Sequence, residues 1–250
     1  MAKVNSKSKI ISSYLVIQPI IFLFLAIFVF RSNIAVFAIL SISMLMVLGF
    51  LLKGRETDRQ KIFAYTLIAL ASIGLAASCI LTIEKIELLK DPGRITSCSV
   101  SPIVACSPVI GSPQASAIDS IPNPFFGLFG YACLVTAGMT ILAGAKKLSK
   151  IWWQTILAGV IFGAVFCIWL IFEGLYNIGA LCLYCLSIWI VTFSLFWVVL
   201  GELIQQKHIK IRPVIDLYIV KNRNLLITIT LSILLLLIYF RWSDYWNTLI

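Results

Sequence analysis

The sequence predicts an all-α integral membrane protein of seven transmembrane helices, and three observations lead there. Only 12% of its 250 residues are charged and 61% are hydrophobic, with a mean hydropathy of +1.03; a soluble domain carries about 25% charged residues. Seven charge-free runs follow one another: 11–30, 34–52, 62–83, 125–145, 151–172, 174–201 and 224–240. Each is near the roughly 20 residues that cross a bilayer core as a helix. The basic residues between them gather on alternate links, which is how a chain records its orientation.

Lys3, Lys7 and Lys9 precede the first run, in the manner of a signal peptide. That run is long for a signal and no small-x-small cleavage site follows it, so it reads as a retained helix. Arg31, Ser32 and Asn33 alone join it to the second run, which makes a tight hairpin. One set of links collects Lys3, Lys7, Lys9, Lys53, Arg55, Arg59, Lys61, Lys146, Lys147, Lys150, Lys207, Lys210, Arg212, Lys221 and Arg223. The other set holds Arg31, Lys85, Lys90, Arg94 and Arg241. Fifteen against five places the N-terminus in the cytoplasm and the C-terminus outside. The net charge of +10 is thereby explained as topology signals beside anionic lipid, and it requires no nucleic acid. The division expected is a two-helix N-terminal extension over 1–59, a core over 60–201 with an outer loop at 84–124, and a basic link plus a last helix over 202–250.

The chemistry is concentrated in cysteine. Cys98 and Cys106 bracket CSVSPIVAC in the long loop, and Cys182 and Cys185 form a CxxC in GALCLYCLSIW at the outer end of a run. All four fall on the oxidising side, where disulfides persist. On a helix starting near Ile178, Cys182 and Cys185 share one face with Cα atoms about 5 Å apart, within disulfide range. They would lie roughly 6 and 10 Å below the helix end. That depth is open to a lipid-soluble molecule from the bilayer and to a flexible loop from above. Ser97, Ser99, Ser101, Pro102, Ser107, Pro108, Ser112 and Pro113 resist long helix, and Val100, Ile103, Val104, Val109 and Ile110 are apolar enough to rest on the membrane surface. A plain stabilising disulfide at each pair is the bland alternative, although a bridge within one helical turn constrains the unfolded chain little. A four-cysteine zinc site is another. Cys79, Cys133 and Cys167 stand singly in apolar runs, where a cysteine packs as a small hydrophobe.

No Asp, Glu, Lys, Arg or His lies inside the seven runs, and coupled ion transport normally needs such groups at mid-membrane. The single histidine, His208, falls in a basic cytoplasmic link, away from the cysteines. An outward electron conduit would need cysteines on the cytoplasmic links, where there are none, and a scaffold with incidental disulfides is the non-enzymatic alternative.

The run CSVSPIVAC, then IPNPFFGLFGY, then a CxxC at the outer end of a helix resembles the vitamin K epoxide reductase family over roughly residues 60–200. IGALCLYC and the tail RWSDYWNTLI are most similar to its actinobacterial members. The resemblance implies a four-helix bundle around a quinone, capped by the outer loop. It implies that Cys182–Cys185 is the active-site pair, with Cys185 meeting the quinone, and that Cys98–Cys106 is a shuttle pair whose Cys106 exchanges with Cys182. Asn123 matches the asparagine that hydrogen-bonds a quinone carbonyl; as a residue before Pro124 it also reads as a helix cap. Trp189 stands where vertebrate members carry tyrosine, and its ring can stack on a quinone and donate one N–H. Menaquinone or ubiquinone would be the acceptor. With no thioredoxin-like domain after the last span, the thiol partner would be a separate secreted or membrane-anchored thioredoxin-fold (DsbA-like) protein. Gly159 and Gly163, spaced GxxxG, and Gly127 and Gly130 would let backbones approach around the pocket.

Overall fold

A computed structural model describes residues 59–99, 101–118, 121–145, 148–209 and 211–247. The spans expected at 11–30 and 34–52, and the extension they form, lie outside the described residues. Within them the chain is helical: α1 (Arg59–Lys90), α2 (Cys106–Gly111), α3 (Asn123–Leu142), α4 (Lys150–Phe172), α5 (Leu183–Gln205), α6 (Pro213–Arg241) and α7 (Ser243–Asn247). A 3₁₀ turn, Pro113–Ser116, and a π-helical turn, Glu173–Ile178, interrupt the series. Among the described residues, five helices are long and apolar enough to cross a membrane, namely α1, α3, α4 with its π turn, α5 and α6.

Helix ends depart from the apolar runs because hydropathy marks where lipid ends, not where helix ends. α1 continues past residue 83 through EKIELLK, all good helix formers but for Ile86, and so carries Glu84 and Lys85 into what the sequence assigned to the loop. α6 starts early, with Pro213 in its first turn where a missing N–H costs nothing, and bends at Asn222, whose φ of −111° and ψ of 21° leave the helical region. Much of the expected basic link is therefore helix. α4 begins at Ser149, whose hydroxyl accepts from the Trp152 N–H at 3.1 Å.

α5 is the central element. It packs against α1, α4 and α6, while α1 also packs along α3. On α1 the small residues Ala64, Ala71, Gly74, Ala77 and Ser78 recur at helical spacing on the buried side. They admit α3 closely: a Cβ on Gly74 would run into the Tyr131 ring, and one on Gly138 into Ile68 and the Ala64 carbonyl. Tyr131 then reaches α5, donating to Thr192 Oγ1 at 2.6 Å, since the Thr192 hydroxyl itself donates to the Ile188 carbonyl at 2.7 Å. Far from the cysteines, Arg59 pairs with the buried Glu202 at 3.1 Å, and His208 stacks on Trp153 with ring centroids 5.4 Å apart.

Candidate thiol site and its cavity

Cys182 is placed by a change of helix type. α4 widens into the π turn, Gly179 takes a left-handed φ of +70° that suits glycine, and the Gly174 carbonyl receives the N–H groups of Gly179 and Ala180 at 3.0 and 3.2 Å. The chain then runs extended to Cys182, the N-cap of α5. This corrects the expected start near Ile178. The π turn and Gly179 use up those residues, so Cys182 precedes the helix and Cys185 sits in its first turn. The two are linked all the same, because the Cys185 N–H points at the Cys182 sulfur at 3.4 Å.

The loop comes to the CxxC through its backbone: the Leu181 N–H donates to the Ile103 carbonyl at 2.8 Å. Cys98 and Cys106 form a disulfide, their Cα atoms 5.6 Å apart. The serines that resist long helix have a second use here. Thr96 donates its N–H to Ser107 Oγ at 3.0 Å, and the hydroxyls of Thr96 and Ser107 meet at 2.9 Å, closing the two arms of the bridge. Cys106 opens the short helix α2. Its sulfur lies 3.1 Å from that of Cys182, within the roughly 3–3.5 Å of a near-attack contact. The sulfurs of Cys98, Cys106 and Cys182 lie within 4.8 Å of one another. All three residues are buried, while Cys185 is half-buried and not bridged to Cys182. A bridged pair offers no thiolate, so the trio in this state is not a zinc ligand set. Ile103 and Ile110 do not lie on a membrane surface: both are buried, Ile103 in one apolar cluster with Leu181, Trp189 and Trp242. Arg241 secures that side, its Nε donating to the Leu175 carbonyl at 2.7 Å.

Below the sulfurs a cavity of about 580 Å³ extends between α3 and α4, walled also by α1 and α5, and it is almost wholly apolar. Cys182, Cys185, Asn123 and Trp189 all line it. The Asn123 side chain caps no helix. Its Oδ1 accepts from the Ala117 N–H at 3.0 Å and its Nδ2 donates to the Gln114 carbonyl at 2.7 Å, bracing the 3₁₀ turn on the start of α3; one amide hydrogen is left over. Trp189 is buried, and its Nε1–H has no hydrogen-bond partner among the described residues. The same holds for the hydroxyl of Ser78, fully buried on the cavity wall. Sequence reasoning missed Ser78, whose only signal was a hydroxyl on the small-residue face of α1. Two orphaned buried donors on an apolar wall fit a flat apolar molecule with carbonyl oxygens, which is the chemistry of a quinone.

The glycines divide by position. Gly127 is crowded by Ser78, whereas a Cβ on Gly130 or Gly159 would meet nothing within 4 Å and one on Gly163 makes ordinary contact. Gly159 therefore faces open space, while Gly163 faces Thr192 of α5. Of the lone cysteines only Cys167 packs inside, 3.6 Å from Thr192 Oγ1; Cys79 and Cys133 are exposed on their helices.

These features define a helical membrane protein with clustered cysteines at one end of an apolar cavity. A family model for the vitamin K epoxide reductase family matches residues 65–200, more than half of the chain, and the protein belongs to that family. Membership makes it a membrane thiol–disulfide oxidoreductase. A comparison with curated proteins gave no match.

Proposed function

We propose that the protein re-oxidises a secreted or membrane-anchored thioredoxin-fold protein and passes the electron pair through Cys98–Cys106 and then Cys182–Cys185 to a membrane quinone. In this reading α1, α3, α4 and α5 form the catalytic core over residues 60–201, with the cysteine end facing outward. The observation that most directly supports it is the Cys106 sulfur, bonded to Cys98 and 3.1 Å from Cys182.

A partner thiolate attacks the Cys98 sulfur, the Cys98–Cys106 bond breaks, and Cys106 leaves as a thiolate. The partner's second thiol resolves the mixed disulfide, leaving the partner oxidised and the loop pair reduced. Cys106 then attacks Cys182 of an oxidised inner pair and releases Cys185 as a thiolate. Cys98 attacks Cys106 in turn, which re-forms the loop bridge and frees Cys182. The bond pattern in this structure, loop bridge closed and Cys182 and Cys185 unbridged, is the one this step leaves behind. The quinone supplies the terminal two-electron, two-proton acceptor. Trp189, Ser78 and the spare Asn123 hydrogen would orient its oxygens, and the apolar walls would exclude water. Because Cys98 is 3% exposed, docking has to lift part of the loop before the first attack.

In Cys106→Ala protein the free Cys98 thiolate attacks the disulfide of the oxidised partner, the partner's other sulfur leaves as a thiolate, and mass spectrometry of the mixed disulfide on Cys98 identifies the protein attached. Turnover is lost in that variant and in Cys185→Ala, and kept in Cys79→Ala and Cys133→Ala. Full quinone reduction by Cys185→Ala would sink the proposal.

A further inference from the structure

The tip of α1 carries two ionisable residues that the relay does not use, Glu84 and Lys85, and both are buried. Between them they hold the two arms of the disulfide loop. Lys85 Nζ donates to the Ile110 carbonyl, in the helix that Cys106 begins, at 2.7 Å. On the other arm, Glu84 Oε1 receives both donors of Ser97, the residue before Cys98: the hydroxyl at 2.5 Å and the N–H at 3.3 Å. Ser97 Oγ lies 3.3 Å from the hydroxyl of Tyr184, one of the two residues between Cys182 and Cys185. Serine has one hydrogen and it is committed to the carboxylate, so Tyr184 donates to Ser97 and Ser97 to Glu84. The chain of donors is polarised toward the acid and strengthened by it.

The position is costly to hold. Glu84 is 6% exposed, and its second oxygen, Oε2, is buried with no hydrogen-bond partner among the described residues. An apolar residue would pack at this point with less desolvation, so stability alone does not explain an acid here. What the acid does is tie the residue before Cys98 to Tyr184, inside the CxxC.

We propose that Glu84 is a positioning residue for the inner exchange: through Ser97 and Tyr184 it holds the Cys98–Cys106 loop in register with the CxxC segment, so that Cys106 stays within reach of Cys182. The proposal rests on the relay reading given above. Holding the loop shut also shields Cys98, so Glu84 favours the inner transfer and opposes the outer one.

The two effects can be measured separately. In Cys98→Ala/Cys185→Ala protein, Cys106 and Cys182 are left to pair with each other, and equilibration with a glutathione redox buffer gives their effective molarity. Adding Glu84→Ala lowers it about tenfold or more, the scale set by hydrogen bonds to a charged group. Glu84→Gln, whose amide oxygen still accepts from Ser97, keeps most of it, and Ser97→Ala repeats the loss without leaving the acid's cavity empty. In otherwise unaltered protein, Glu84→Ala speeds reduction of the Cys98–Cys106 bridge by glutathione severalfold. The Cys182–Cys185 potential, read in Cys98→Ala/Cys106→Ala protein, does not move.

An unchanged effective molarity in both Glu84→Ala and Ser97→Ala overturns the proposal. So does an equal shift of the Cys182–Cys185 potential, which general loosening would produce, and so does unchanged or slower reduction of the loop bridge, because Glu84 would then not hold the loop over Cys98. If Cys106 and Cys182 do not pair even with Glu84 and Ser97 present, the relay itself fails, and the proposal falls with it for that distinct reason.

Discussion

Replacing Ser78 with Ala should move stability and quinone affinity in opposite directions. The Ser78 hydroxyl is fully buried, lines the cavity and has no partner among the described residues. A buried hydroxyl left unsatisfied costs about 1–3 kcal/mol. Removing it should therefore stabilise the quinone-free protein by about 1 kcal/mol, or about 2–4 °C in melting temperature for a chain of this length. If the hydroxyl donates to a quinone carbonyl, the variant also loses a bond worth about 1 kcal/mol net, which is about fivefold in KM. The assay is thermal unfolding of delipidated protein in detergent, paired with the quinone dependence of dithiol-driven turnover. A packing role predicts a lower melting temperature and an unchanged KM, because Ser78 fills the space opposite Gly127. That result would refute the assignment of Ser78 to the quinone.

Gly74→Ala drives a methyl into the Tyr131 ring and should destabilise by about 1–3 kcal/mol, whereas Gly159→Ala, with nothing within 4 Å, should stay within about 0.5 kcal/mol; chemical denaturation of the two variants side by side checks the contrast. Asn123→Ala removes both bonds that fasten the 3₁₀ turn to α3. Protease cleavage between residues 112 and 122 should rise about tenfold, from roughly 1.5 kcal/mol of lost local restraint, with the melting temperature little changed.

Several features were legible in the chain because they depend on composition along it. Apolar runs located α1, α3, α4, α5 and α6, since lipid demands a continuous apolar stretch whatever the neighbours are. CSVSPIVAC, IPNPFFG and the CxxC indicated the family, because local sequence carries those motifs whole. Other features were not legible. The start of α5 was misplaced because a π turn and a left-handed glycine look, in hydropathy, like more of the same helix. Gly159 was misread because spacing alone does not say whether a glycine faces a neighbouring helix or a cavity. Glu84 and Lys85 were assigned to a loop because their charge ended the apolar run, although the helix continued through them.

By itself the sequence determined a membrane-embedded helical protein of this family, with two cysteine pairs and a basic-residue pattern that implies its orientation. These follow from transfer free energies and covalent spacing, which are properties of the chain. Only the tertiary structure decided that Cys106 meets Cys182 at 3.1 Å, that the Ser78 hydroxyl and the Trp189 Nε1–H line one cavity with no partner among the described residues, and that Glu84 joins Ser97 near Tyr184. The contacts among them join residues of different helices or loops, between 13 and 87 positions apart, and their distances are set by how the elements pack. The two cysteine pairs were visible as motifs, but the approach of their sulfurs depends on a π turn, a backbone bond from Leu181 to Ile103 and an acid at the tip of α1.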